Sequence, residues 1–367
     1  MATAMSDPKL ETFAAGVETA VDVAQIERQL HELWQLAAES GKESSQRQIT
    51  RACLFNFVVC CGTEAERDRA TETISMLTTR HPCRAILLMA QHEAAQPELS
   101  AAISAHCHLA GGERKQVCCE QIAIRASGSG VDQLNTVVLP LLESDLPTVF
   151  WWPGDFLKQI DLFHDLVGVA DRIIFDTSAW ADPIPQLGAL AGVIAEHRHC
   201  NFADLSWTRL GLWRRLVAEF FDEPRCRAEL NNIRAVEIEH GCGAGAGLRA
   251  RLLGAWIAAQ LNWPLADATA KIHLTEREDT DTTSVGIISF AIKTDAATFS
   301  IRKNHGELTA STAISMPQMC GLPRRRAFRP LDDASLLSEE LDHSLRHVVY
   351  ERTLTMAWRI FRGPGKL

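Results

Sequence analysis

The chain has 367 residues, enough for two ordinary domains, and its 46% hydrophobic and 23% charged residues are a globular mix. A net charge of −9 argues against a nucleic-acid binder, which needs a local basic excess. No stretch is apolar for the ~20 residues that a membrane helix takes, and the opening "MATAMSDPKLETF" lacks the apolar segment of a signal peptide, so a cytoplasmic protein is expected. Eleven cysteines without a Cys-x-x-Cys pair point to free thiols rather than to a disulfide framework, zinc ribbon or thioredoxin-type motif.

Residues 1–21 are weakly patterned and read as a flexible arm. Asp22 then caps a helix. Val23, Ile26, Leu30, Leu33, Trp34 and Ala37 form its apolar stripe, and Gly41 suits the turn that ends it. "ACLFNFVVCC" (52–61) reads as a strand buried on both faces. A helix over 64–79 follows, then strands over 84–90, 103–109 and 116–125, and a helix over 128–142.

"LPTVFWWPGDF" places a strand between Pro147 and Pro153, followed by a helix carrying Phe156, Ile160, Phe163 and Val167. "RIIFDT" (172–177) is the next strand, and 184–196 the next helix. This alternation predicts a layered α/β domain with a largely parallel sheet over 22–199.

The pattern changes after His199. "DLSWTRLGLWRRLVAEFFD" puts Trp207, Leu210, Trp213, Val217 and Phe220 on one helical face, with Asp204 or Ser206 as cap. A strand over 235–239, the loop "GCGAGAG" (241–247) and a helix over 248–261 follow. Strands are expected over 270–275, 284–294 and 297–303, the last two as an antiparallel hairpin. Arg324, Arg325 and Arg326 read as a solvated loop, and one long helix over 335–362 closes the chain. Residues 200–367 are thus expected to be an α+β domain.

Each test for chemistry is weak. Read from Gly241, the glycine loop has Ala246 where a dinucleotide fingerprint needs its third glycine, and no acid follows before Asp267. A helix-entry loop is the reading preferred here; a nucleotide-holding enzyme or sensor using Gly241–Gly247 is the alternative. His106 and His108 share a strand face, and His197, His199 and Cys200 form a second cluster, but histidines at element ends are commonly unliganded. No nucleophile elbow is present, so no catalytic, cofactor or metal residue is assigned. Cys60, Cys61, Cys118 and Cys119 are the redox candidates, although buried thiols usually behave as small apolar groups. Of Trp151 and Trp152, strand geometry sends one to each face, so one is expected in the core and the other over the sheet or against a partner. Trp151, Trp152, Asp155 and Trp180 are therefore the partner-binding candidates, whereas Trp207 and Trp213 belong to a core stripe.

"LPLLESDLPTVFWWPGD", the earlier "VDVAQIERQLHELWQ", and the later "RIIFDTS" and "DLSWTRLGLWRRLVAEFFD" resemble the OpcA family of glucose-6-phosphate dehydrogenase assembly proteins. The second tryptophan segment carries an Asp-x-x-Trp-x-x-x-x-x-Trp-Arg pattern at Asp204, Trp207, Trp213 and Arg214. The resemblance runs from about Asp22 to the last helix. It implies a non-catalytic partner that binds glucose-6-phosphate dehydrogenase, promotes its active oligomer, and so feeds the oxidative pentose phosphate pathway and NADPH supply. In cyanobacterial members it also implies a link to thioredoxin through cysteines; no cysteine here is matched to that role.

Overall fold

The computed structural model describes residues 11–13, 19–20, 22–43, 48–94, 96–110, 115–277, 286–304, 306–317, 319–320, 323–343 and 345–362. They gather into two compact units. The first holds the described residues up to Phe175, with 199–201 and 333–344; the second holds 176–198, 202–332 and the chain from Leu345. A single division near His199 is thus simpler than the folded one. The helix that precedes His199 continues the strand–helix alternation, and nothing in its sequence says which core takes its apolar stripe.

The first unit contains β1 (Glu11–Phe13), β2 (Thr19–Ala20), α1 (Val23–Glu43), β3 (Gln48–Arg51), β4 (Asn56–Cys61), α2 (Glu64–Leu77), β5 (Arg84–Gln91), β6 (Glu98–Ala110), β7 (Lys115–Ser127), α3 (Leu134–Leu141), β8 (Thr148–Trp152), α4 (Ile160–Leu166) and β9 (Arg172–Phe175). Its strands run in the order β1-β6-β7-β5-β4-β8-β9. From β7 to β9 the ladders are parallel, and β6 pairs antiparallel with β7 from Glu98↔Ser127 to Ala110↔Lys115. Every residue of β4, β8 and β9 is buried, as continuous apolar runs between helical layers should be. Parallel strands need crossovers, and α2 supplies the first of them. Thr63 caps α2 by accepting from the Glu66 N–H at 3.2 Å, with Glu64 and Glu66 at the positive end of the helix.

Two expectations for this unit are corrected. Residues 11–13 and 19–20, taken as part of a loose arm, are short strands paired to β6. The first helix runs through Gly41 to Glu43 instead of turning there. One feature had no sequence signal. Arg84, at the start of β5, is buried and reaches Glu120 on β7, Glu27 on α1 at 3.1 Å, Glu143 at 2.9 Å and the Leu141 carbonyl at 2.8 Å. Glu120 also accepts from the Trp34 indole N–H at 2.9 Å. Four separate elements meet on one ion pair.

The second unit contains α5 (Pro183–Glu196), most of β10 (Asn201–Asp204), α6 (Leu205–Thr208), α7 (Gly211–Glu219), α8 (Pro224–Ala228), β11 (Ile233–Gly241), α9 (Ala246–Gln260), α10 (Leu265–Lys271), β12 (Ile272–Arg277), β13 (Ile287–Thr294), β14 (Thr298–Lys303), β15 (Thr309–Met316), β16 (Met319–Cys320) and β17 (Arg324–Ala327). Helix α11 (Asp333–Asp342) returns to the first unit, and α12 (Val348–Phe361) belongs to the second. The sheet order is β12-β11-β13-β14-β15-β16, with β17 on β15; only β11–β12 is parallel. Alternate residues such as Val236, Ile238, Phe290, Ile292, Phe299 and Ile301 are buried, so one face carries the core. Helix α9 comes close to this sheet: a Cβ on Gly254 would lie 2.8 Å from Ile272 Cγ2.

Three differences from the sequence reading fall here. The Trp207–Phe220 helix is broken between Thr208 and Gly211, although both tryptophans are core as expected. The long closing helix is two helices, and the His343 ring engages the Glu339 carbonyl at 2.6 Å where the first one ends. Arg324–Arg326 are exposed as read, but they form an edge strand.

Candidate functional site

In a doubly wound sheet, ligands enter the crevice where strand order reverses, beyond the carboxyl ends of the strands. Here that point lies between β4 and β8, so the loops at Gly62 and at Pro153-Gly154 should form the site. The chain's own side chains occupy it. Glu66 accepts the Gly62 N–H at 2.7 Å, and a Cβ on Gly154 would sit 2.5 Å from Glu66 Oε1. Gln159 accepts the Trp152 indole N–H at 3.2 Å, and its amide would lie 3.2 Å from a Cβ on Gly62. A carboxylate thus stands where a dinucleotide would need its phosphates, bound to the backbone N–H that would have held them.

The tryptophan pair closes the same region from within. Trp151 is fully buried and stacks on Phe57 at 6.2 Å between centroids; Trp152, 1% exposed, packs against Phe150, Phe156 and Phe163. They cover opposite faces of the sheet, as alternation requires, and both are core. An anchor for a partner must be reachable, so of the two alternatives expected for the second tryptophan, covering the sheet or meeting a partner, the burial of both agrees with the first. Trp180 is buried as well, and Asp155 caps a short 3₁₀ turn by accepting from the Leu157 N–H at 3.1 Å. The sequence missed this because a strand's apolar run does not reveal how thick the layer over it is.

Cys60 and Cys61 are buried, and burial pushes both thiols up; burial also raises Cys119, to about 12. A thiol held protonated is a poor nucleophile. The side chains of Cys118, His106 and His108 lie outside the described residues. His199 engages the Val167 carbonyl at 3.2 Å. Among the described residues no group of three His, Cys, Asp or Glu is placed to hold a metal ion.

The second unit holds a buried polar centre of different character. Asp204 caps α6 as expected, but it does more: Oδ1 accepts from the Thr177 and Ser206 N–H groups at 3.1 and 2.9 Å, and Oδ2 from the Thr177 and Tyr350 hydroxyls at 2.6 and 2.9 Å. Asp176 accepts from the Ser178 N–H, the Ser206 hydroxyl and Arg209, the last at 2.8 Å. Burial and then the Asp176 charge push Asp204 up to about 6, against the opposing hydrogen bonds. Burial would raise Asp176 too, but the Arg209 guanidinium and its hydrogen bonds outweigh it and hold the carboxyl below its usual range. Two neighbouring acids are thus driven apart, and Asp204 can carry a proton near neutral pH. The Gly241–Gly247 loop abuts this centre. Gly245 is left-handed at φ +69°, and a Cβ there would meet the Ser178 side chain at 2.2 Å.

A groove of about 770 Å³ lies at the other edge of this unit, with Glu219, Asp222 and Glu223 facing Arg324 and Arg326 of β17. No described helix is long and apolar enough to cross a membrane.

Comparison with known proteins adds a lineage to this geometry. The family described as the glucose-6-phosphate dehydrogenase subunit matches twice, its N-terminal domain over residues 74–192 and its C-terminal domain over 200–354. The chain is 30% identical over 190 residues to the OxPP cycle protein OpcA of Synechococcus elongatus, covering 52% of this chain and 42% of that one. Against the protein of the same name in Synechocystis it is 31% identical over 188 residues, 51% of this chain and 38% of that one. The chain thus spans about two fifths of the length of the curated relatives it matches. Among solved structures, an NAD binding oxidoreductase from Klebsiella pneumoniae is similar at 8% identity and TM-score 0.46, over 83% of this chain and 94% of that one. An oxidoreductase from Bacillus cereus is similar at 10% and 0.45, over 85% and 97%. At such scores the likeness carries no functional meaning.

Proposed function

The chain belongs to the OpcA family of glucose-6-phosphate dehydrogenase assembly proteins, and from that premise we propose that it binds glucose-6-phosphate dehydrogenase in the cytoplasm and promotes the enzyme's active oligomer without catalysing a reaction itself. The observation that carries this reading is that the family's N- and C-terminal domains follow one another along the chain, over 74–192 and 200–354. The filled crevice between β4 and β8 supports it: Glu66 and Gln159 occupy the place where a redox enzyme of this strand order would seat its cofactor.

Activation follows from differential affinity. A partner that binds the active oligomer better than the inactive form shifts the equilibrium by that ratio and no further; moving it from 1:99 to 99:1 takes a ratio of ~10⁴. The effect on metabolism is a larger flow into the oxidative pentose phosphate pathway, and with it more NADPH. Titrating the purified chain into the dehydrogenase of the same organism, with turnover and sedimentation measured together, tests the reading. Higher turnover at a larger sedimentation coefficient is expected. An enzyme unchanged in both respects refutes it.

A further inference from the structure

Gly245 stands at the cap of α9 and, in its left-handed conformation, offers no side-chain acceptor; the Ala246 N–H donates to the Gly243 carbonyl at 2.9 Å, and the Gly247 and Leu248 N–H groups lack the usual carboxylate or hydroxyl acceptor. Arg249, in that first turn, folds back over the same end. Its Nη2 donates to the Ala244 carbonyl at 3.2 Å, and a Cβ on Gly245 would lie 2.9 Å from Nη1. On the other side, a Cβ on Gly286 would lie 3.7 Å from Nη2. Arg249 is 9% exposed, and among the described residues that single carbonyl is its hydrogen-bond partner, out of the five donors a guanidinium carries.

Lys303 ends β14 at the same end of the sheet as Gly241 and Gly286, which are joined by a 3.0 Å backbone hydrogen bond. Its ammonium makes no ion pair among the described residues and faces the Phe328 ring at 5.6 Å. Burial and the Arg249 charge depress its proton affinity; burial and Arg209 do the same to Arg249. Arg249, without a carboxylate contact, therefore stands at the positive end of a helix, where positive charge is unfavourable, and Lys303, also without one, lies near enough to feel its charge. Asp176 and Asp204 attract the Arg249 charge without contacting it, and burial and Arg209 outweigh them. Asp176 is taken up by Arg209, Ser178 and Ser206, and Asp204 by Tyr350, Thr177 and Ser206.

We infer that this end of the second unit's sheet binds the phosphate group of a small molecule, held by Arg249, Lys303 and the Gly247 and Leu248 N–H groups of α9. Donors arriving from a helix end, a guanidinium and an ammonium suit a tetrahedral oxyanion, and backbone N–H groups at a helix start favour its charge. Phosphate binding here needs no dehydrogenase, so it is tested without that enzyme and can fail or succeed independently of the assembly role.

The test is titration calorimetry and thermal melting of the full chain with inorganic phosphate, a sugar phosphate and the unphosphorylated parent sugar. Saturable binding of one or both phosphorylated probes is expected, weakened by added salt, with none for the parent sugar. Tighter binding of the ester points to a phosphorylated metabolite, and equal binding to free phosphate. Arg249→Gln should weaken binding by at least about tenfold, and Lys303→Gln by several-fold. If Arg249→Gln does not fold, the partly exposed Lys303 variant decides. A wild-type chain that binds neither phosphorylated probe overturns the inference, as does binding that folded variants leave unchanged.

Discussion

The chain contains one tyrosine, and it sits at the centre of the second unit. Tyr350 is fully buried, donates to Asp204 Oδ2 at 2.9 Å, and lies 5.7 Å from the Trp207 ring. Tyr350→Phe removes one oxygen and keeps the ring, so no cavity forms and the lost hydrogen bond is the main effect. A bond to an ionised acceptor is worth about 1.5–3 kcal/mol, and one to a neutral acceptor about 0.5–1.5. Because Asp204 titrates at about 6, the acceptor is ionised at about pH 8 and mostly protonated at about pH 5.

The substitution should therefore cost about 2 kcal/mol at the higher pH and about 1 at the lower. Linkage gives the same sign. A folded pKa raised to about 6 means that the stability Asp204 contributes is fully present below its unfolded value of about 3.9 and is lost as pH rises through 6. Removing a donor that favours the ionised form pushes the folded pKa higher and deepens that loss. Urea unfolding at both pH values measures the difference. The single tyrosine gives one set of ring resonances in labelled wild-type protein, and those resonances should shift as Asp204 titrates. A cost under about 0.5 kcal/mol at pH 8, or the same cost at both pH values, refutes the assignment.

Gly245→Ala should destabilise by about 3 kcal/mol, from the left-handed backbone and from the Cβ that would meet Ser178 at 2.2 Å; a melting temperature close to that of the wild type contradicts this. Glu120→Ala strands Arg84 and the Trp34 indole, and should cost about 3 kcal/mol in denaturant unfolding even though Glu27 and Glu143 remain. A thiol reagent should modify the exposed Cys242 in the folded chain while leaving Cys60, Cys61 and Cys83 unlabelled until unfolding; peptide mass spectrometry reads the result, and early labelling of Cys60 would revive a redox role.

Much of the first unit was legible because its strands are bounded by hard punctuation. Pro147 and Pro153 fix β8 at Thr148–Trp152, residue for residue. Elsewhere periodicity misled. Trp207, Leu210 and Trp213 keep helical spacing through a turn that breaks the helix, because one residue in a tight turn advances the chain much as a helical residue does. Strand β15, "TASTAISM", was invisible: its small residues pair well with β14 but carry no alternating apolar signal. Sites were harder still. Asp204 was read as one of two possible caps beside Ser206, and it is the cap. Its bond to Tyr350 spans 146 residues, and no local pattern encodes such a meeting. The Arg84–Glu120 pair is hidden for the same reason, since charge in a sequence is ordinarily a sign of surface.

The loops that follow β4 and β11 resolve the same electrostatic problem in opposite ways. In the first unit, the loop after β4 presents a backbone N–H at Gly62 to a carboxylate four residues on, so the crevice meets its own demand for negative charge. Its stability cannot depend on an occupant, and adding phosphate should leave it unchanged. In the second unit, the loop after β11 ends at an uncapped helix, and the fourth residue of that helix is a buried cation rather than an acid. Exchanging an acid for a base at the start of a helix converts a self-satisfied terminus into one that lacks an anion. Any stabilisation by a phosphorylated ligand should therefore be largest in the amide exchange around α9.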